Sequence, residues 1–296
     1  MSREAPLFGR VTIIGLGLIG SSLARALRRD RMAREIVACD ADSGARRVAA
    51  RLKIVDRVVS DAGKAVAGAD LVVLAVPQSG YASVGKAIGG RLKRGAIVTD
   101  VGSVKSAAVS ALAGHLGPDV HLVPGHPIAG TENSGPAAGF ADLFVGRWCV
   151  LTPPPKAKRQ AVAKVRTMWQ RCGMRVAVMD AAHHDRVLAI TSHVPHLIAY
   201  TIINTVDDLE SHLKAEVIKF AASGFRDFTR VAASNPVMWR DIFLNNRDAV
   251  LEMMGRLYED IALLQKAIRN GDGAMLHRVF TRSRRIRRSI VQAKQD

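Results

Sequence analysis

Val11-Thr-Ile-Ile-Gly15-Leu16-Gly17-Leu18-Ile19-Gly20-Ser-Ser-Leu-Ala24 joins an apolar, β-branched run to three glycines in G-x-G-x-x-G spacing and then to a helix-forming stretch. Consecutive β-branched residues read as a strand buried on both faces. Gly15 allows a tight turn, Gly17 lets a ligand's phosphates approach the backbone, and Gly20 lets the next helix pack close to the sheet. The start of that helix offers free N–H groups and a positive dipole end, a ready site for a pyrophosphate. Asp40 closes the following apolar run, 20 residues beyond Gly20, where a carboxylate can accept ribose hydroxyls.

Strand, glycine turn, helix and acid in that order mark a dinucleotide-binding Rossmann unit. The expected cofactor contacts are Gly15, Leu16, Gly17, Leu18, Ile19, Gly20 and Asp40, joined by Val76 and Pro77 where a third strand ends at the ligand crevice. A carboxylate at Asp40 repels a 2′-phosphate, so NAD is favoured over NADP. Arg46 and Arg47 read as exposed positions on the following helix. Further strands are expected at 36–40, 71–76, 97–101, 121–124, 148–151 and 175–179, with an amphipathic helix over 156–171. After Asp180 strand signals vanish and helical spacing dominates, notably over 187–206 and 249–267, punctuated by Gly224 and Asn235-Pro236. The fold class expected is an α/β Rossmann domain over 1–180, doubly wound around a mostly parallel sheet, followed by an all-α domain over 181–296.

Composition narrows the function. With 48% apolar and 23% charged residues the 296-residue chain is globular rather than disordered. Its strongly apolar stretches, such as 71–77, read as too short for a bilayer, and the first ten residues lack the apolar core of a secretory signal. Cys39, Cys149 and Cys172 have neither paired nor metal-ligand spacing, so no metal is expected and a reducing cytoplasm is the natural setting. The net charge of +17 raises the question of nucleic acid. Residues 1–180 hold 26 Lys+Arg against 13 Asp+Glu, whereas 181–296 hold 17 against 13, so the excess sits mostly in the nucleotide-binding half. The dense run Arg282, Arg284, Arg285, Arg287, Arg288 lacks interleaved aromatics or a reading module, and reads as a solvated helix end. A basic field also draws in anionic small molecules, which fits a dinucleotide and a small-molecule carboxylate substrate.

Two more strand ends carry polar groups, Asp100-Val-Gly-Ser103-Val-Lys105 and Pro124-Gly-His126-Pro-Ile-Ala-Gly-Thr-Glu132. They place Ser103 and His126 on the carboxyl-end rim beside the cofactor, where a histidine can take a proton from an alcohol as hydride leaves the same carbon. Those motifs, the glycine loop, Ser192-His193-Val-Pro195-His196 and Gly224-Phe-Arg226-Asp-Phe-Thr-Arg230-Val-Ala resemble, in order and over nearly the whole chain, the prephenate/arogenate dehydrogenase family of tyrosine biosynthesis. The resemblance implies NAD-dependent oxidative decarboxylation of a cyclohexadienol, with His126 as the catalytic histidine and Ser103 bonding that histidine and the substrate hydroxyl. It implies further that His196 and Arg230 hold the substrate, Arg230 through a carboxylate, which suits a planar guanidinium. On a helix His193 and His196 stand about 60° apart and so share one cleft, with Pro195 between them expected to kink the helix. His184 and Trp239 fall in matching segments as site or packing residues, and Arg226 as a site residue or a surface ion-pair partner.

The resemblance also implies a homodimer formed mainly by the helices, with apolar stripes at 198–206 and 257–268. It departs at Ala222-Ser223, where relatives carry a more glycine-rich turn, and the chain leaves no room for the regulatory or mutase domains appended in some relatives. Prephenate and arogenate differ only in a keto or amino group. Glu216 could meet the amine or be solvated. The alternatives are a β-hydroxyacid dehydrogenase, which would use a lysine in the helical domain, and a basic Rossmann regulator without catalysis. No lysine stands in such a motif, and Ser103, His126 and Arg230 together oppose the regulator.

Overall fold

The computed structural model describes residues 5–131 and 133–292; Glu132, which ends the His126 motif, lies outside them. Six strands form a parallel sheet: β1 (Phe8–Ile14), β2 (Ala33–Cys39), β3 (Arg57–Val59), β4 (Leu71–Leu74), β5 (Ile97–Asp100) and β6 (His121–Leu122), in the order β3-β2-β1-β4-β5-β6. Helices α1 (Leu18–Arg29), α2 (Ser43–Arg51), α3 (Ala62–Ala65), α4 (Tyr81–Ile88) and α5 (Lys105–Ala113) connect them. Side chains alternate across the sheet, so Ile13 and Val73 join one core with Leu23, Leu27 and Trp169, while Ile14 and Leu74 join a second with Tyr81, Ile88 and Leu112. Two buried faces are why these strands are continuously apolar. The strand order reverses between β1 and β4, which opens a crevice at their carboxyl ends.

The sheet is not one piece. Beyond β6 the chain starts a second, three-stranded sheet of β7 (Gly125–Pro127), β8 (Trp148–Leu151) and β9 (Arg175–Val178), with β7 antiparallel and β9 parallel to β8. Helix α6 (Arg159–Arg171) crosses between β8 and β9 and buries Val165, Met168 and Trp169. Sequence reading extends one doubly wound sheet through 175–179 and misses β3 and β7, both three residues long. His126 therefore lies within a strand rather than on a rim loop.

From Ala181 on, among the described residues, the regular structure is helical: α7 (Ala181–Leu188), a π-helical turn (Ala189–His193), α8 (Val194–Asp207), α9 (Ser211–Phe220), α10 (Ser223–Thr229), a 3-10 turn (Arg230–Ala233), α11 (Pro236–Asn245), α12 (Arg247–Arg269) and α13 (Gly273–Gln292). Asp180 caps α7 by accepting the His183 amide at 2.8 Å, and Asn235 caps α11 by accepting those of Val237 and Met238. Pro195 sits in the first turn of α8, where its missing N–H costs nothing. The expected kink is instead a wide turn just before it, and the helix breaks at Ala221–Ala222 rather than at Gly224, which lies inside α10. The 27-residue run Ala181–Asp207 contains an 18-residue stretch of mean hydropathy 1.3 and is long and apolar enough by length and composition to cross a bilayer, which corrects the expectation that every apolar stretch is too short. Its His184, Asp185 and His193 are instead buried on hydrogen bonds within the protein. The chain separates into two compact units, Met1–Asn246 and Arg247–Asp296, the second being the α12–α13 pair.

Candidate active site

The glycine turn and Asp40 come together as expected. Asp40 Oδ2 accepts the Leu16 amide at 2.7 Å and Oδ1 that of Asp42 at 2.8 Å, which ties the acid at the end of β2 to the turn after β1. Gly15 has φ +102°, and a Cβ there would stand 2.4 Å from the Ala75 carbonyl, so this turn is pressed against the end of β4. Gly20 is tighter still, since its Cβ would meet the Gly15 carbonyl at 2.0 Å. Gly17 by contrast faces open space and caps α1 without a side-chain bond, leaving the first N–H groups of α1 to a ligand. These residues fit a dinucleotide pyrophosphate. The Leu16 side chain is in the core, so it offers only backbone, and Leu18 and Ile19 are half-buried against that core. Arg46 donates to the Asp40 and Ala41 carbonyls at 2.7 and 2.8 Å, and with Arg47, Val58, Ser60, Asp61 and Lys64 it lines a surface cavity of about 510 Å³. Val76 is half-buried and Pro77 exposed past β4, where the Pro77 carbonyl accepts the Gly80 amide at 2.9 Å.

A buried polar cluster holds the second half of the site. Asp100, at the end of β5, accepts Tyr81 Oη–H and the Gly102 amide at 2.9 Å each, the Gly125 amide at 3.2 Å, and the Lys105 ammonium. Lys105 Nζ also donates to the Gly125 carbonyl at 2.7 Å. Asp100 and Lys105 are fully buried, and a buried pair is tolerable only when its remaining groups are satisfied, as here. Burial pulls Lys105 below its ordinary value, opposed by Asp100 and Asp185; burial and Asp100 push Tyr81 well up. One carboxylate thus clamps the turn that precedes Ser103 and the peptide that precedes His126. Ser103 is half-buried in that turn, and among the described residues no hydrogen bond joins it to His126.

His126 is 8% exposed and its Nδ1 lies 2.9 Å from His184 Nε2, with the rings edge to face. His184 Nδ1 lies 2.8 Å from Asp185 Oδ1, and Asp185 accepts the Lys105 and Ser106 amides at 2.7 and 2.8 Å. Burial lowers His126 well below the usual imidazole range, aided by the Lys105 ammonium and by the other histidines packed around it. Burial pushes Asp185 up, but bonds from His184 and the Lys105 and Ser106 amides outweigh it and hold the carboxyl low.

The helical residues meet on Trp239. His196 stacks on its ring with centroids 3.7 Å apart, and His193 meets it edge to face at 6.0 Å. His196 Nδ1–H donates to the Ser192 carbonyl at 2.8 Å, so in the neutral ring Nε2 is the acceptor. Asn246 donates to His193 Nδ1 at 3.0 Å and to the Asp185 carbonyl at 2.8 Å, which leaves His193 Nε2–H buried and without a partner. Burial depresses His193 to about 4, and lowers His196, with Arg230 adding to the effect. Arg230 is exposed on the 3-10 turn beside His196, and among the described residues no carboxylate pairs with it. Glu216 is exposed on α9.

Sequence reading gave no role to Asp100 and Lys105, which it quoted only as the ends of the Ser103 motif, and did not single out Tyr81, Asp185 or Asn246. The adjacent His184-Asp185 pair and the acid ending an apolar strand were visible signals. The bonds that tie them into one site, Lys105 to Gly125 and to Asp185, span 20 and 80 residues and depend on the fold.

Two family descriptions match the chain: "Prephenate dehydrogenase, nucleotide-binding domain" over residues 23–178 and "Prephenate dehydrogenase, dimerization domain" over 180–282. The cyclohexadienyl dehydrogenase of Zymomonas mobilis is 41% identical over 96% of this chain and 97% of its own length. The structure of Aquifex aeolicus prephenate dehydrogenase in complex with hydroxyphenyl propionate and NAD+ is similar at TM-score 0.87 and 31% identity, covering 96% of this chain and 98% of that one. Synechocystis arogenate dehydrogenase is similar at TM-score 0.82 and 27% identity, covering 95% of this chain and 99% of that one.

Proposed function

The chain belongs to the prephenate dehydrogenase family, and on that premise we infer that it converts prephenate to 4-hydroxyphenylpyruvate and carbon dioxide in tyrosine biosynthesis, with NAD as cofactor and His126 as the base. The observation that carries the residue assignment is a buried, neutral histidine fixed through Nδ1, which leaves Nε2 as a proton acceptor. Bound NAD supplies the hydride acceptor for the ring carbon that bears the hydroxyl. Gly17 and the start of α1 take its pyrophosphate, Asp40 its ribose, and the cavity beside Arg46 and Ser60 its adenine end. His126 Nε2 takes the hydroxyl proton; after carbon dioxide leaves, the same nitrogen returns that proton to the phenolate oxygen, so no net proton is released. Ser103 bonds the reacting hydroxyl. Arg230 grips a substrate carboxylate, His196 helps to hold the substrate's side chain beside it, and the unpartnered His193 Nε2–H donates to the substrate. Division of labour follows the topology, with residues 1–180 holding the cofactor and 181–296 the substrate and a second subunit. The three buried free cysteines fit a reducing, cytoplasmic setting.

NADH formation with prephenate and with arogenate, compared as kcat/KM, tests the reaction and ranks the two substrates. Changing His126 to asparagine should lower kcat by roughly 10²–10⁴-fold with little effect on KM. Arg230→Ala should instead raise KM strongly with a smaller effect on kcat, because a carboxylate is held in ground and transition states alike. Near-normal turnover by the His126 variant would move the base elsewhere.

A further inference from the structure

Resting on His126 as the base, the geometry points to two positioning residues: we propose that Asp185 and His184 form a buried line that fixes His126 in its Nδ1–H tautomer and aims Nε2 at the substrate. The hydrogen-bond inventory forces the assignment. Asp185 Oδ1 and Oδ2 already accept the Lys105 and Ser106 amides, and an ionised carboxylate has no proton to give. His184 Nδ1, 2.8 Å from Oδ1, must therefore carry the hydrogen, and its Nε2 is left as an acceptor. His126 Nδ1, 2.9 Å from that Nε2, must then be the donor. What remains of the neutral His126 ring is one unprotonated nitrogen. Free neutral imidazole side chains favour the other tautomer, with the proton on Nε2, which in this site would present a donor where a base is required.

The line acts without moving a second proton. When His126 Nε2 accepts the hydroxyl proton, the imidazolium keeps its Nδ1–H on His184, and His184 keeps its own on Asp185. The growing positive charge is met by a polarised imidazole backed by a carboxylate, both buried, where such bonds are strong. His184 is fully buried and Asp185 nearly so. The charged or titratable groups around the line are Lys105 from α5, His193 from the π-helical turn and Asp100 from β5. Asn246 secures the base of the line by donating to the Asp185 carbonyl. Lys105 serves both ends, with its amide on Asp185 and its ammonium on the peptide that carries His126.

Two substitutions at His184 separate orientation from packing. His184→Phe keeps a ring of similar volume but removes the acceptor; His184→Gln loses the ring yet offers an amide oxygen to His126 Nδ1–H and an amide N–H to Asp185. The expected order is wild type, then Gln within a few-fold in kcat, then Phe lower by roughly 10–100-fold, the range for orienting partners of a functional histidine, with KM and NAD affinity nearly unchanged. Long-range ¹H–¹⁵N spectra of the imidazoles in the intact protein give a readout apart from activity. The Nδ1–H form of His126 should dominate in wild type and in the Gln variant, and the Nε2–H form in the Phe variant. A Phe variant as active as the Gln variant, or an Nε2–H His126 in the wild type, overturns the proposal. If His126→Asn itself retains turnover, the base assignment fails instead. If His184→Phe does not fold, Asp185→Asn carries the test, because its single amide oxygen still accepts from His184 and the Lys105 amide, at the loss of the Ser106 amide bond, but carries no charge to polarise His184. Its kcat should fall at unchanged KM, and an unchanged kcat overturns the proposal.

Discussion

His126 combines two demands that usually conflict. A base must be neutral to accept a proton, yet the cation it becomes must be tolerated in a site that excludes water. Burial, helped by the Lys105 ammonium, secures the first by holding its proton affinity well below the ordinary imidazole value of about 6.5. Because the folded value is depressed, His126 is neutral above it and protonated only below, so activity is lost as pH falls rather than as it rises. The acid limb of kcat/KM, which reports the free enzyme, should therefore run flat through pH 6.5 and bend only at lower pH. A midpoint at or above 6.5 would mean that a more exposed group controls the reaction. Replacing Lys105 is not a clean test of the same idea, since its ammonium also neutralises the fully buried Asp100.

Elements succeed here where a backbone meets a backbone. Gly20 on α1 lies so close to the turn after β1 that a Cβ would stand 2.0 Å from the Gly15 carbonyl, and neither partner is a flexible side chain. Gly20→Ala must push α1 away from the sheet, which should cost about 1–3 kcal/mol of stability, as overpacking does. It should also weaken NAD binding, because the first N–H groups of α1 move with the helix. Unchanged thermal stability and NAD affinity in that variant would show that the turn can relax. This contact was legible in the sequence because G-x-G-x-x-G after a β-branched run has one structural solution, and β1, β4, β5 and β8 were legible for the same local reason. β7 was not. Three residues, Gly-His-Pro, carry no alternation, and their pairing with β8 is set by a chain segment more than 20 residues away. The His126–His184–Asp185 line was hidden likewise, since nothing near His184 says which of the other eight histidines it will meet. Pro195 was misread in kind: a proline inside an apolar run signals a kink, but with a wide turn before it the residue only begins a new helix.

At the scale of the whole molecule, the apolar surface decides the assembly. The unit Arg247–Asp296 is two helices, and a helical pair of this size cannot bury a core of its own. In α12 Val250 and Ala267 are buried, whereas Leu251, Tyr258, Ile261, Leu263 and Ile268 are exposed; in α13 Phe280, Ile286 and Ile290 are exposed as well. Leu251, Tyr258 and Ile261 are spaced by seven and three residues and so share one stripe of the helix. In the other unit, Ile218 and Phe220 of α9 and Leu244 of α11 stand exposed too. Monomeric soluble proteins rarely leave a large apolar patch in water, and the stripe on α12 is one such face. The dimerization-domain match spans α9, α11, α12 and the first part of α13, and a two-fold partner that presents the same stripe is the simplest way to cover it. A stable interface of this kind buries roughly 1,200–2,000 Å² or more, within reach of two such helical faces. Light scattering on the eluting peak should give the mass of a dimer at micromolar concentration. Placing aspartate at both Leu251 and Tyr258 puts charges in the middle of the stripe, where burying them unpaired is costly, and should shift the peak to the monomer mass while the Rossmann half still binds NAD. A wild-type monomer at that concentration, or a doubly charged variant that remains a dimer, would place the interface on another surface.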